Sequence, residues 1–254
     1  LLGDDVPPIR GLAPVPPWRL HEVDWHASVT PPPLRIERDD VAEIIFTSGA
    51  TAEPKGVVIT HRNVLANVRQ IADVLNLQDD DVVVGALPLS HAFGLTATVF
   101  LPLLEGLPLI CHADPADALG VARAIAEYRA TLWCSTATLL RAYTRDPQVH
   151  PLMLRSLRMV VAGAEKLGAD VRDAFALKFN KEVFEGYGAT ECSPLISLNT
   201  RMEPAVGTAG RLVPGLHYRL ENVPGVEEGG RLFVKGPNVM KGYLNPDAHR
   251  KFQE

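Results

Sequence analysis

Up to about residue 40 the chain shows no hydrophobic period. Pro7, Pro8, Pro14, Pro16, Pro17 and the triplet Pro31, Pro32 and Pro33 forbid a continuous helix or central strand, so residues 1–40 are predicted to be a connecting arm. From Val41 the character changes: AEIIF reads as a short apolar strand that runs directly into a Thr/Ser/Gly-rich loop, TSGATAEPKG, at 47–56. After the loop, Val64, Leu65, Val68, Ile71, Ala72 and Leu75 recur at helical spacing behind Thr60, which is placed to cap them.

Alternation then continues. Strands are predicted at 82–87, 107–110, 131–134, 159–162 and 182–184, and helices at 95–104, 118–128, after Ala137 and at 169–179. This order argues for an α/β fold with largely parallel sheets flanked by helices across 41–206. Beyond Gly207, glycines and prolines punctuate short segments such as HYRLENV and GRLFVKG, which predicts a more antiparallel, β-rich region over 207–254.

Composition narrows this picture. A chain of 254 residues, 46% hydrophobic and 22% charged, can bury a sizeable core. Its formal charge of −5 provides no basic field for a phosphate polymer, so nucleic acid is not expected as a partner. Cys111, Cys134 and Cys192 lack zinc-ligand spacing and an even disulfide count; they read as small buried or semi-buried hydrophobes in a reducing cytoplasm. The most apolar stretch, 95–110, is interrupted by Pro102, Glu105, Gly106 and Pro108 before it reaches the roughly 20 residues of a bilayer span; it reads as a buried helix followed by a strand. The chain starts at Leu1 and carries no signal-peptide pattern, and it is expected to be a piece of a longer protein.

The loop at 47–56 carries the first candidate chemistry. Thr47, Ser48 and Thr51 supply hydroxyls, Gly49 and Gly56 allow close backbone approach, and Lys55 is cationic. Such a turn can surround phosphate oxygens, although a bare cluster of these residues is equally a polar surface turn. A Walker A loop is excluded, because Lys55 precedes Gly56 and Val57 follows it.

The loop resembles the phosphate signature TSG[ST]TGxPKG of the adenylate-forming superfamily, which includes acyl-CoA synthetases, luciferases and nonribosomal peptide adenylation domains. Four further motifs follow in the family's order: LPLSHAFG at 87–94, VAGAEKL at 161–167, EGYGATE at 185–191 and GRLFVKGPNVMKGYL at 230–244. The resemblance implies ATP and Mg²⁺ as cofactors and an acyl-adenylate as intermediate. It implies that Thr47, Ser48, Gly49, Thr51 and Lys55 surround the phosphates, that Thr190 contacts the α-phosphate, and that Glu191 binds the metal. Tyr187 stacks on the adenine with Gly163, Ala164 and Glu165 opposite, Glu185, Gly186 and Gly188 complete the nucleotide site, and His91 lies beside the acyl pocket and thiol tunnel. Phe93, Leu95, Trp133, Ala189 and Cys192 are candidates for an apolar acyl channel. Taken singly, each has a plainer explanation: a solvated charge, a half-buried aromatic, a capping histidine.

Three positions depart from the pattern. Ala50 replaces a hydroxyl, Ala52 stands in a stretch where the family uses glycine, and Glu53 brings a negative charge near the expected triphosphate. The family's ribose-binding aspartate motif and its mobile C-terminal domain with a catalytic lysine do not occur in the chain, so the segment alone is expected to turn over poorly. In detail the wording is similar to the acyl-[acyl-carrier-protein] synthetase half of bacterial bifunctional 2-acylglycerophosphoethanolamine acyltransferases. That implies a fatty acid substrate, acyl-carrier protein or coenzyme A as thiol acceptor, and a cytoplasmic protein at the inner face of the membrane when intact. A generic long-chain acyl-CoA ligase, a ligase for another acid and a non-catalytic nucleotide- or acyl-binding relative remain alternatives.

Overall fold

In the computed structural model, residues 24, 26, 35–47, 54–202, 204–227 and 229–253 are described. The chain divides into two units, Leu1–Ile36 and Glu37–Glu254. In the first, the His26 N–H donates to Asp24 Oδ1 at 2.9 Å; the rest of the proline-rich arm before residue 35 lies outside the described residues.

The second unit begins with β1 (Val41–Thr47), β2 (Lys55–Thr60) and α1 (His61–Leu75). β1 and β2 pair antiparallel, from Thr47 opposite Lys55 to Val41 opposite Thr60. The sequence pattern does not predict the second strand of this hairpin, because KGVVIT lies between a loop signature and a helix cap. The loop 48–53, with Ser48, Gly49 and Thr51, falls outside the described residues but connects two hairpin strands rather than a strand and a helix. Thr60 caps α1 as expected. The Asn63 N–H donates to Thr60 Oγ1, and the Thr60 N–H donates to Asn63 Oδ1 at 3.0 Å, a reciprocal capping box.

Next come β3 (Val83–Gly85), α2 (Ala92–Leu95), a π-helical turn at Thr96–Phe100, α3 (Leu101–Glu105), β4 (Leu109–Cys111), α4 (Ala118–Tyr128), β5 (Leu132–Ser135) and α5 (Ala137–Arg145). They are followed by β6 (Met159–Ala162), α6 (Ala169–Phe179), β7 (Phe184–Gly188), β8 (Leu195–Leu198), β9 (Arg211–Leu212), β10 (His217–Glu221), β11 (Arg231–Lys235), β12 (Gly242–Tyr243) and α7 (Pro246–Gln253).

Seven strands form the main sheet in the order β4-β3-β5-β6-β7-β8-β9. Pairing is parallel from β4 to β7 and antiparallel through β8 and β9. The sheet is buried on both sides, which is why its strands read as continuous apolar runs. Successive residues go to opposite faces: Val84, Trp133, Val160 and Ala162 pack with α4, α5 and α6, whereas Val83, Leu132, Met159 and Val161 pack with α1 and the β1–β2 hairpin. β12 joins the hairpin to make a three-stranded sheet, and β10 pairs antiparallel with β11 as predicted.

Several expectations shift. The helix predicted at 95–104 starts earlier, at Ala92, contains the π turn and is not wholly buried, since Leu103 is 72% exposed at its solvent side. The strand predicted at 182–184 lies at Phe184–Gly188, so the EGYG motif is itself a strand: its glycines allow close antiparallel approach of β8 instead of breaking the element. Helix α7 was not foreseen, and Cys111 is exposed rather than buried. Among the described residues, no helix is long and apolar enough to cross a membrane.

Candidate functional site

The ends of β6 and β7 bring two of the motifs together. After β6 the Gly163 N–H donates to Ser135 O at 3.1 Å, and Ala164 takes a left-handed backbone with φ 68°, a conformation non-glycine residues adopt at a cost. Glu185, on β7, reaches back: its Oε1 accepts the Leu167 N–H at 3.0 Å and so braces VAGAEKL against EGYGATE. Glu165 faces elsewhere. Its carboxylate accepts the Thr138 N–H at 2.6 Å and the Thr138 hydroxyl at 2.9 Å. These bonds, the backbone one first, hold its pKa below the usual value, and the charge sits favourably in the first turn of α5.

Between these loops and the segment 91–101 lies a cavity of about 200 Å³. Its exposed rim includes Ala164, Gly188 and Tyr187, the last 48% exposed. Its inner end is formed by Ile71, Leu75, Leu101 and Leu198, all buried in the core. Thr96 and Ala97 of the π turn line it, as do Gly163, Gly186, Ala189 and Thr190. His91 lines it too, and caps α2 by accepting the Phe93 N–H on Nδ1 at 3.2 Å. Among the described residues that line it, none is Lys, Arg, Asp or Glu.

Of the predicted channel residues, Phe93 and Ala189 are at the cavity wall. Trp133 is not: it is buried on the other face of the sheet, 4.8 Å from the Tyr143 ring and 6.2 Å from Phe175. Leu95 and Cys192 are also absent from the lining, while Cys134 is part of it. Burial pushes the Cys134 thiol up to about 12, and burial together with the Glu191 charge does the same for Cys192, so neither is a thiolate at neutral pH.

Glu191 follows the cavity residue Thr190 in a 3₁₀ turn, Thr190–Cys192. Its Oε1 accepts the Tyr243 hydroxyl at 2.7 Å, and its backbone oxygen accepts the Met240 N–H at 2.8 Å. Lys55 Nζ lies 5.6 Å from the centroid of the Tyr243 ring. The end of the loop hairpin, the acid of EGYGATE and the tyrosine of the GYL motif are thereby one cluster. Among the described residues there is no group of three metal-ligating side chains, and Glu191 Oε2 takes no hydrogen bond there. One free carboxylate oxygen suits Mg²⁺, which combines one or two protein carboxylates with phosphate and water oxygens.

These motifs are shared with a known group of proteins. The family model described as AMP-binding enzyme matches residues 6–244. The chain belongs to the AMP-binding enzyme family. It is 34% identical over 224 residues to the long-chain-fatty-acid–CoA ligase of Salmonella typhimurium, covering 84% of this chain and 40% of that protein. It is 28% identical over 230 residues to the 4-coumarate–CoA ligase of Pinus taeda, with 84% and 42% covered. The crystal structure of ATP-bound MatB from Rhodopseudomonas palustris superposes with a TM-score of 0.73 at 28% identity, covering 85% of this chain and 43% of MatB. The chain thus spans about 40% of the length of the curated relatives it matches.

This family member also has a polar spine that the sequence reading missed. Asn63, Asn67 and Gln70 lie on α1 and are buried, Asn67 completely. Asn67 both donates to Leu195 O at 2.9 Å and accepts the Leu195 N–H at 3.0 Å. Asn63 donates to Pro237 O and Val239 O, each at 2.8 Å, and Gln70 to Pro214 O at 2.7 Å. The helix therefore holds the chain segments behind the cavity. Its signal was present in the i, i+4, i+7 spacing of the three amides, hidden beside the stronger apolar stripe.

Proposed function

We propose that this chain is the nucleotide- and acyl-binding region of an ATP-dependent acid–thiol ligase whose acid is a fatty acid, a single carboxylate on an apolar tail. The observation that carries this reading is the cavity itself: motif residues of the nucleotide site at its rim, an apolar inner end, and no Lys or Arg among the described lining residues. A dicarboxylic acid would bring a second charge to an inner end formed by Ile71, Leu75, Leu101 and Leu198, at high desolvation cost. The ATP-bound MatB likeness supports the nucleotide, and the fatty-acid and coumarate ligases support the acid–thiol class.

In this reading the acid's carboxylate oxygen attacks the α-phosphorus, the bond to the leaving oxygen breaks, and acyl-adenylate and pyrophosphate result. A thiol then displaces AMP and loses its proton as the thioester forms. Tyr187 stacks on the adenine with Gly163 and Ala164 opposite; Thr190 donates to the α-phosphate. Thr47, Ser48, Gly49, Thr51 and Lys55 surround the outer phosphates. Glu191 holds Mg²⁺, which neutralises phosphate charge when bound, and His91 and Phe93 border the path of acid and thiol. Preorganised position and charge do most of the work in such a displacement. The acceptor in this reading is a thiol, that of acyl-carrier protein or of coenzyme A. Residues 207–254 are read as the β-rich end of the large domain.

ATP–pyrophosphate exchange on the intact gene product, with straight-chain fatty acids, coumarate and malonate, tests the proposal. Exchange that depends on a fatty acid supports it. The replacements at Ala50, Ala52 and Glu53 favour a second reading, a binding protein without turnover; ATP binding with no exchange for any acid would establish that reading and reject ours.

A further inference from the structure

We propose that Tyr243 is a positioning residue for Glu191: by occupying Oε1 it fixes the carboxylate so that Oε2 is presented to a divalent cation on the nucleotide. The inference rests on the reading of Glu191 as the metal-holding acid.

The geometry makes Tyr243 a rigid support. β12 pairs with β2, with Tyr243 opposite Val57 and Gly242 opposite Val58. The Leu244 N–H donates to Gly56 O at 2.8 Å and the Lys241 N–H to Val58 O at 2.9 Å. The ring is held between two neighbours, Lys55 at 5.6 Å and Phe252, whose ring meets it edge-on at 6.1 Å and 79°. Its hydroxyl thus has little freedom, and it meets Glu191 Oε1 at 2.7 Å. Meanwhile the Met240 N–H holds the Glu191 backbone oxygen at 2.8 Å. The segment 240–243 therefore grips Glu191 at main chain and side chain together. A glutamate otherwise distributes its carboxylate over several rotamers; a bond to one oxygen removes that freedom before the cation arrives. Such outer partners of a metal-binding acid typically carry about 10–100-fold in metal affinity.

Tyr243→Phe isolates the hydroxyl, since it keeps the ring that touches Lys55 and Phe252. On the intact gene product, equilibrium ATP binding is titrated with Mg²⁺ in the wild type, Tyr243→Phe, Glu191→Gln and the double variant, with thermal melts of each free protein. Tyr243→Phe is expected to raise the Mg²⁺ concentration for half-maximal enhancement of ATP binding by about tenfold, to leave ATP affinity without Mg²⁺ within twofold, and to shift the melting temperature by no more than about 4 °C. In the Glu191→Gln background it adds no further shift. A merely structural tyrosine would weaken ATP binding equally with and without Mg²⁺, and that result overturns the proposal. An unchanged Mg²⁺ requirement in Tyr243→Phe while Glu191→Gln raises it overturns the positioning role alone. No effect of Glu191→Gln on the Mg²⁺ requirement overturns both this role and the reading of Glu191.

Discussion

The Phe93 ring lies close enough to Gly163 that a β-carbon on the glycine would sit 3.1 Å from ring atoms Cε1 and Cζ. Two motifs far apart in the chain, LPLSHAFG and VAGAEKL, thus meet at the cavity wall through the absence of a side chain. Gly163→Ala must displace the ring by a few tenths of an ångström, at the point where nucleotide and acid are proposed to lie side by side. We predict a loss of about tenfold in fatty-acid-dependent exchange, with the melting temperature nearly unchanged, because misplacement on this scale is costly to reaction geometry and cheap to the fold.

Asn67 and Leu195 provide a prediction about stability. Asn67→Leu removes both bonds to Leu195; Leu195 O keeps the Asn238 Nδ2 bond at 3.1 Å, but the Leu195 N–H loses its partner. Urea unfolding is expected to show a loss of about 1–3 kcal/mol. Asn67→Asp keeps the acceptor and is also expected to destabilise, because its carboxylate cannot donate to Leu195 O.

Asp81 tests the acid side. It is 1% exposed and accepts from Arg158 Nε at 2.7 Å, Thr131 Oγ1 at 2.6 Å and the Gln78 N–H at 2.8 Å. Burial raises its pKa, but the bonds from Arg158, Thr131 and Gln78 outweigh burial and hold it below the ordinary 3.8. The stability it contributes is therefore full above about pH 4 and is lost as pH falls through its folded value. Asp81→Ala, which leaves Arg158 with only the backbone oxygens of Leu75 and Asn76 and no carboxylate, is expected to cost about 3 kcal/mol at pH 7. It should also flatten the acid limb of a stability profile; an unchanged limb would assign that limb to other carboxylates.

Glu43 has the opposite sign. On β1 opposite Ile59 its Oε2 is buried and has no hydrogen-bond partner, and desolvation pushes its carboxyl from 4.5 up to about 7. Its contribution is full below the unfolded value and is lost as pH rises through about 7. Glu43→Gln is expected to stabilise the protein by about 2 kcal/mol at pH 8 and to be close to neutral at pH 4.5. Equal effects at the two pH values would show that Glu43 is solvated.

Much of the architecture was readable because both faces of the parallel sheet are covered. Val83 to Gly85 and Met159 to Ala162 are apolar throughout, and α1 and α4 bury apolar residues at helical spacing. What escaped was set by contacts between distant segments. The strand Lys55–Thr60 depends on pairing with β1 and β12, and Gly186 and Gly188 become strand residues only because β8 approaches closely. The site followed the same rule. Motif order indicated which residues gather at the cavity, and Gly163, Ala164, Tyr187 and Thr190 do line it. Glu165 bonding to Thr138, Trp133 packing away from the cavity, and Tyr243 reaching Glu191 are pairings that no local pattern contains.

In the proposed function, one cavity receives a nucleotide at its rim and an apolar tail inside. The most direct measurement compares the affinity of a non-reactive acyl-sulfamoyl adenosine carrying a straight alkyl tail with that of sulfamoyl adenosine alone and of an analogue whose tail ends in a carboxylate. At about 0.8 kcal/mol for each buried methylene, the alkyl tail is predicted to tighten binding at least about a hundredfold over sulfamoyl adenosine, and the carboxylate-ended tail to lose most of that gain. Equal affinity for the tailed and tailless compounds, or preference for the carboxylate-ended tail, would show that the cavity does not receive an apolar tail.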